Sequence, residues 1–194
     1  ISIPPTNNIA IGVDSLENVT AGSNVAVGNG TGNALTSGIE NIFIGQSAGS
    51  STSNNINAST FVGFAAGNTA TSSYTTLVGW KAGFNMTNGE DSVCVGAYAG
   101  DTITTGDSNT CLGYGSDVGT NTDSNSINLG FNTTGHGSNI AVIGNGSITS
   151  WEPGADNTAA LGSTSYGFTA LVLVSPDGTK WTVTVDNTGT LVVT

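Results

Sequence analysis

His136 is the single histidine of the chain, and it stands in TTGHGSN, a turn sequence. One imidazole leaves a Ser-His-Asp arrangement with a single possible base, and no serine and aspartate are paired with it convincingly. Three copies of His136 around an assembly axis could ring a metal ion. The reading adopted is a solvated turn residue. Asp91, Asp101, Asp107, Asp117 and Asp123 also fall in turns. Cleavage of a glycoside needs two carboxyls facing one groove, about 5 to 9.5 Å apart, and no spacing here selects a pair. The acidic nonapeptide of calcium-binding rolls is absent. An ice-binding face would need unbroken threonine columns, and Val93 interrupts Thr60, Thr76 and Thr110. The chain is therefore expected to be no enzyme and to hold no cofactor or metal.

Two other kinds of residue invite chemistry. Cys94 and Cys111 are 17 positions apart, which places them in one column of the repeat described below. Side chains of adjacent parallel strands point the same way, which makes disulfide geometry awkward. They are read as buried free thiols. Aromatic residues form a second set. Phe64, Trp80, Tyr114 and Phe131 each follow a recurring glycine, and Tyr98 is offset by one. They form either a stacking ladder that covers the fold or a platform for sugar rings. Trp151 lies outside the register, in a loop. Trp80, Tyr98, Tyr114, Phe131 and Trp151 are the candidate ligand-binding residues.

Composition narrows the partners. Thirteen Asp and Glu against two Lys and Arg give a formal charge of −11. Nucleic acid and anionic membrane surfaces both require basic patches, so neither is expected. Only 8% of residues are charged and 29 are glycine, yet 37% are hydrophobic and fall at regular places, which argues against disorder. Surface solubility must then come from Asn, Ser, Thr and Asp, which suits an extracellular or particle-borne protein. No stretch of 18 apolar residues is present for a membrane span. Residues 1–7 read as the end of an upstream linker, with any targeting or attachment segment further upstream.

The element that must position all these residues is a repeat. The glycines that close each apolar run are Gly12, Gly28, Gly45, Gly63, Gly79, Gly96, Gly113, Gly130, Gly144 and Gly162, at steps of 16, 17, 18, 16, 17, 17, 17, 14 and 18. A period near 17 suits one coil of a β-solenoid and is too short for helical-pair repeats. Just before the glycine every residue is aliphatic, as in Ile44, Val62, Val78 and Val95, and two earlier stand Ile42, Thr60, Thr76 and Val93. Strand side chains alternate, so these two columns share one face, which is read as the core of the roll. The column between them holds Phe43, Phe61, Leu77, Cys94 and Cys111. It is too apolar for solvent and is expected to pack against other copies of the chain, in a trimer.

The rest of each coil follows. Three residues after the glycine every position is small, as in Ala48, Ala66 and Ala82, which predicts a tight corner. Val19, Leu35, Ala70, Met86 and Ile103 predict a second, weaker strand per coil. The roll is expected over 8–150, about ten coils and about 45 Å long. Residues 151–167 read as a neck. FTALVLV, TKWTVTV and TLVVT, joined by SPDG and DNTG, predict a small antiparallel meander over 168–194 that caps the roll.

The phrases NIAIG, NVAVG and NIFIG, each followed by small residues and a Thr-x-Gly turn, resemble the head repeats of trimeric autotransporter adhesins. They are still more similar to the Asn-Thr-Ala-Ile-Gly-Tyr-x-Ala-Gly repeats of phage tail fibres. PGADNTAALGSTSYGF resembles the neck near fibre C-termini, and SPDGTKWTVTVDNTGTLVV the short β-segment that follows it. The likeness covers residues 8–194. It implies a left-handed parallel β-roll, a homotrimer, and a place on a virion tail fibre or a bacterial cell surface. It also implies receptor binding to a bacterial surface glycan, lipopolysaccharide or other surface component; a purely structural shaft is the alternative, and a glycan-cleaving fibre the remote one. Two coils depart from the pattern: GYGSDVG and GFNTTG lack the Ala-Gly pair.

Overall fold

A computed structural model describes residues 7–51 and 55–148, together with the backbone of three strands nearer the C-terminus. The chain divides into two compact units, Ile1–Thr149 and Ser150–Thr194. The first is an all-β solenoid. Nine strands of three residues form one parallel sheet in sequence order: β1 (Ile9–Ile11), β2 (Val25–Val27), β3 (Ile42–Ile44), β4 (Thr60–Val62), β5 (Thr76–Val78), β6 (Val93–Val95), β7 (Thr110–Leu112), β8 (Ile127–Leu129) and β9 (Ala141–Ile143). Eight turns join these nine rungs. The tenth rung expected at Gly162 lies outside the described residues. In the second unit β10 (Leu171–Val174), β11 (Lys180–Val185) and β12 (Leu191–Val193) form an antiparallel sheet, with Leu173 opposite Trp181 and Val183 opposite Val193.

The repeat register is the sheet register. Phe43 pairs with Phe61, Phe61 with Leu77, Leu77 with Cys94, and Cys94 with Cys111. The strand faces, however, are the reverse of the sequence expectation. Phe43, Phe61, Leu77, Cys94 and Cys111 are fully buried inside the roll of a single chain. They fill the core, and as trimer-interface residues they are corrected. The flanking residues point outward: Ile42 is 41% exposed, Ile44 39% and Leu112 49%. The cause lies in how short the strand is. The chain must turn at both ends of three residues, and it curls around the middle side chain. Asn41, two before Phe43, shares that inner face and is also buried.

The inner face begins with a polar ladder. Asn24, Asn41, Ser59, Thr75, Ser92, Asn109 and Ser126 are buried one per coil. Each reads the next coil: Asn41 N–H donates to Asn24 Oδ1 at 3.1 Å, Ser59 N–H to Asn41 Oδ1 at 3.1 Å, and Ser126 N–H to Asn109 Oδ1 at 3.0 Å. These bonds satisfy backbone donors where the strand has not yet begun.

The expected second strand does not form. Leu35, Ala70, Met86 and Ile103 lie in irregular backbone just past turns, yet they are fully buried. Side-chain volume is balanced across two of the coils: Phe61 is followed by Ala70, and Cys94 by Ile103, so a narrow interior stays filled there. The return side is held by hydrogen bonds between coils instead. Gly32, Gly49, Gly67, Gly83 and Gly100 donate N–H to Ala48, Ala66, Ala82, Ala99 and Ser116 carbonyls at 2.9–3.0 Å.

The corners are left-handed. Nine rungs are each preceded by a left-handed residue, among them Glu40 (φ 62°), Ala58 (φ 51°) and Tyr74 (φ 59°). Two residues after the glycine come Ser47, Ala65, Lys81 and Tyr98, at φ 53–59°. The recurring glycine has its own demand. At Gly79 (φ 142°) a Cβ would stand 2.3 Å from the Gly96 carbonyl oxygen, so no larger residue fits.

Candidate binding surface

Two surfaces of the roll are built one residue per coil. The first is the outer face of the nine-stranded sheet. Ile9, Ile11, Ile42, Ile44, Val93, Leu112, Ile127 and Ile143 are all exposed, and Val25, Val27, Val62, Val78, Val95 and Leu129 are half-buried. Eight intervals of about 4.8 Å make this apolar stripe about 38 Å long. Soluble monomers rarely leave a continuous apolar strip of that length open to water.

The second surface borders the first, just past the glycine corner. Phe64 and Trp80 stack at 6.2 Å between centroids with 20° between planes, and Tyr114 and Phe131 at 5.5 Å with 18°. Tyr98 links the two pairs edge-on, 4.5 Å from Trp80 at 89° and 6.1 Å from Tyr114 at 80°. Of the sequence candidates, the structure thus brings Trp80, Tyr98, Tyr114 and Phe131 into one ladder with Phe64. The two stacked pairs turn ring faces toward each other along the roll, and the ladder is interrupted at Tyr98. Trp80 is 41% exposed and Phe131 63%. Trp151 lies outside the described residues.

A feature the sequence reading passed over sits on this ladder. Lys81 Nζ is 5.0 Å from the centroid of Trp80 and 5.0 Å from that of Phe84. Lys81 is one of the two basic residues in the chain, the other being Lys180. The sequence signal was available: a lone lysine next to a tryptophan, with a phenylalanine three residues on.

Two pairs of titratable groups include a buried member, and Asp123 is buried apart from them, accepting from Thr120 N–H at 2.7 Å. Asp117, 8% exposed, accepts at Oδ2 from Thr102 N–H and at Oδ1 from Val118 N–H, both at 2.8 Å. Burial, and then a hydrogen bond shared with the Asp101 carboxyl, push Asp117 up to about 7. Spacing alone selected no carboxylate pair; the solenoid brings these two together because they stand one coil apart. Asp117 is enclosed by the chain, and Asp101 is half-buried. Cys94 and Cys111 are both buried free thiols. Their mutual hydrogen bond, with burial, holds the Cys94 thiol well above its usual range.

His136 is exposed at the last turn, in a recess of about 390 Å³ lined also by Asn132, Thr134, Val142 and Asn145. Among the described residues no group of three His, Cys, Asp or Glu is placed to hold a metal, and no helix is long and apolar enough to cross a membrane. No protein-family model, curated protein or solved structure matches the chain.

Proposed function

We propose that this chain is the receptor-binding part of a homotrimeric fibre, borne on a virion tail or a bacterial surface, that attaches to bacterial surface glycan or lipopolysaccharide. The observation that carries the reading is the outer sheet face. The column just before the glycine is aliphatic in every rung, and the other is aliphatic except where Thr60, Thr76 and Thr110 stand, although the single chain leaves both partly in water. Ile42, Ile44, Leu112 and Ile127 would meet their counterparts around a threefold axis, with each left-handed roll supplying one sheet. The interface is thus proposed on the face opposite to Phe43 and Phe61. The resemblance of NIAIG, NVAVG and NIFIG to fibre and adhesin-head repeats supports the same assembly.

Attachment would work through multivalency. Three rolls present three copies of the aromatic ladder and of the Asn, Ser and Thr side chains around it. Weak sites of millimolar affinity become useful when several engage one surface. The proposed role is binding, with no catalytic step. A shaft that only spaces a distal binder is the second reading, and the stacked faces of the Phe64–Trp80 and Tyr114–Phe131 pairs favour it.

Light scattering on the wild-type chain and on Ile44→Asp and Leu112→Asp tests the assembly. A trimer that falls apart in the variants is expected, and a wild-type monomer would sink it. Binding of labelled protein to bacterial cells and a glycan array separates attachment from a shaft, which would bind neither.

A further inference from the structure

Lys81 is the only Lys or Arg of the roll. Among the described residues its ammonium forms no salt bridge, in a chain that carries thirteen acidic residues. It is instead held between two rings of its own coil, at 5.0 Å from each centroid. An ammonium over aromatic faces has part of its hydration shell replaced by the rings, so an incoming anion displaces less water there.

The side chain is also fixed in advance. Lys81 is a left-handed corner residue (φ 56°), and its N–H donates to the Phe64 carbonyl at 2.9 Å. The preceding residue of its column is the small, buried Ala65 and the next is Tyr98. A lysine normally loses several rotatable bonds of freedom when it binds. Here the two rings have already restricted them, which favours a ligand that needs the charge at one place. Trp80, beside it, is exposed although Phe64 stacks on it and Tyr98 meets it edge-on at 4.5 Å, so a sugar ring next to the charge meets the outer rims of these rings.

We propose that Lys81, with Trp80, Phe84 and Tyr98, forms a subsite for a sugar bearing an anionic group, carboxylate or phosphate. The anion sits on Lys81 Nζ and the sugar ring against Trp80 and Tyr98. The nine Asp and Glu of the roll repel anions elsewhere on it, so acidic saccharides are admitted at this one point in each roll. The inference rests on the glycan-binding reading and names the class of sugar that the same ladder would take.

The test is a calorimetric titration of the full chain with three probes: a glucuronic-acid tetrasaccharide, the same compound with its carboxyls reduced to alcohols, and a tetrasaccharide bearing a sugar phosphate. At least one acidic probe should bind roughly tenfold or more tighter than the neutral one, and the advantage should shrink with added salt. Lys81→Gln should abolish that advantage while leaving assembly intact, and Lys81→Arg should keep part of it. Which acidic probe wins identifies carboxylate or phosphate as the group read. Equal binding of acidic and neutral probes, a preference that survives Lys81→Gln, or no binding of either acidic probe overturns the subsite. Neutral glycan binding without acid preference leaves the fibre reading standing, whereas failure on cells and on every glycan removes both.

Discussion

Phe43 and Phe61 stack inside the roll, 5.0 Å apart with 23° between their planes, on neighbouring rungs of one parallel sheet. Both are fully buried within a single chain, so they belong to the fold of each chain and not to its assembly. Phe61→Ala should destabilise the roll by about 3–5 kcal/mol through lost burial and the cavity left behind. Urea unfolding at fixed protein concentration measures it. An unchanged unfolding midpoint with a changed oligomeric state would return Phe61 to an interface.

The corner residues make opposite predictions from two neighbouring positions. Gly79→Ala drives a Cβ to 2.3 Å from the Gly96 carbonyl and should cost at least about 2 kcal/mol, since the backbone of the next coil cannot yield cheaply. Ala65→Gly removes a Cβ from a left-handed residue (φ 53°) and should stabilise by up to about 1 kcal/mol. Thermal unfolding of the two variants against wild type decides both signs. A neutral Gly79→Ala would show that the coils can spread.

Stability should fall as pH rises toward neutrality. Asp117 titrates at about 7 in the fold against an ordinary 3.8, because burial and the Asp101 carboxyl disfavour its charged form. The folded state therefore holds a proton that the unfolded state releases. The contribution is complete below about pH 4 and is lost by about pH 7. Asp117→Asn keeps the uncharged form and should flatten the profile between pH 4 and 7, with the larger gain at pH 8. A wild-type melting temperature that climbs over this window would contradict the assignment.

Cys94 and Cys111 should resist thiol reagents in the native state. Both are buried, and their shared hydrogen bond keeps Cys94 protonated, while only the thiolate reacts. Labelling with a chromogenic disulfide should report no fast-reacting thiol under native conditions and two after unfolding in guanidinium. Rapid native labelling would mean that the coil at β6 and β7 opens.

The solenoid, its register and its corner glycines were legible in the sequence, because a 17-residue period repeats every constraint many times. Which strand face is the core was not. The column before the glycine is uniformly aliphatic, as in Ile44, Val62 and Val95, and a uniform aliphatic column reads as core. The inner column runs from Phe61 through Cys94 to Asn128. Its variety hid it, yet variety is what a narrow interior permits when a partner across the coil compensates, as Ala70 does for Phe61. Buried Asn128 keeps an Oδ1 with no hydrogen-bond partner, further evidence that this column is not chosen for hydrophobicity alone. The missing second strand has a similar cause: Leu35, Met86 and Ile103 are apolar because they are buried, and irregular backbone can turn a side chain inward as well as a strand can. On the surface, the ladder could be read from its spacing. The grip of Trp80 and Phe84 on Lys81 could not, because it depends on which way a left-handed corner sends its side chain.

The left-handed corners also decide where chain length can change. Glu40 and Gly49 are both left-handed (φ 62° and 59°) and bound the ten residues ENIFIGQSAG. The blocks Ala58–Gly67, Tyr74–Gly83 and Asp91–Gly100 are bounded the same way and have the same length. Between blocks bounded in this way, the uneven steps fall wholly in the arc from the end of one block to the start of the next. Each block acts as a fixed vertebra and each arc as replaceable material. An insertion inside a block would send the side chains that follow it in that block to the wrong face, whereas one in an arc would project a loop and leave the rungs in register. Diversity of the surface can therefore accumulate on one flank of the rod without disturbing the flank that is proposed to hold the chains together.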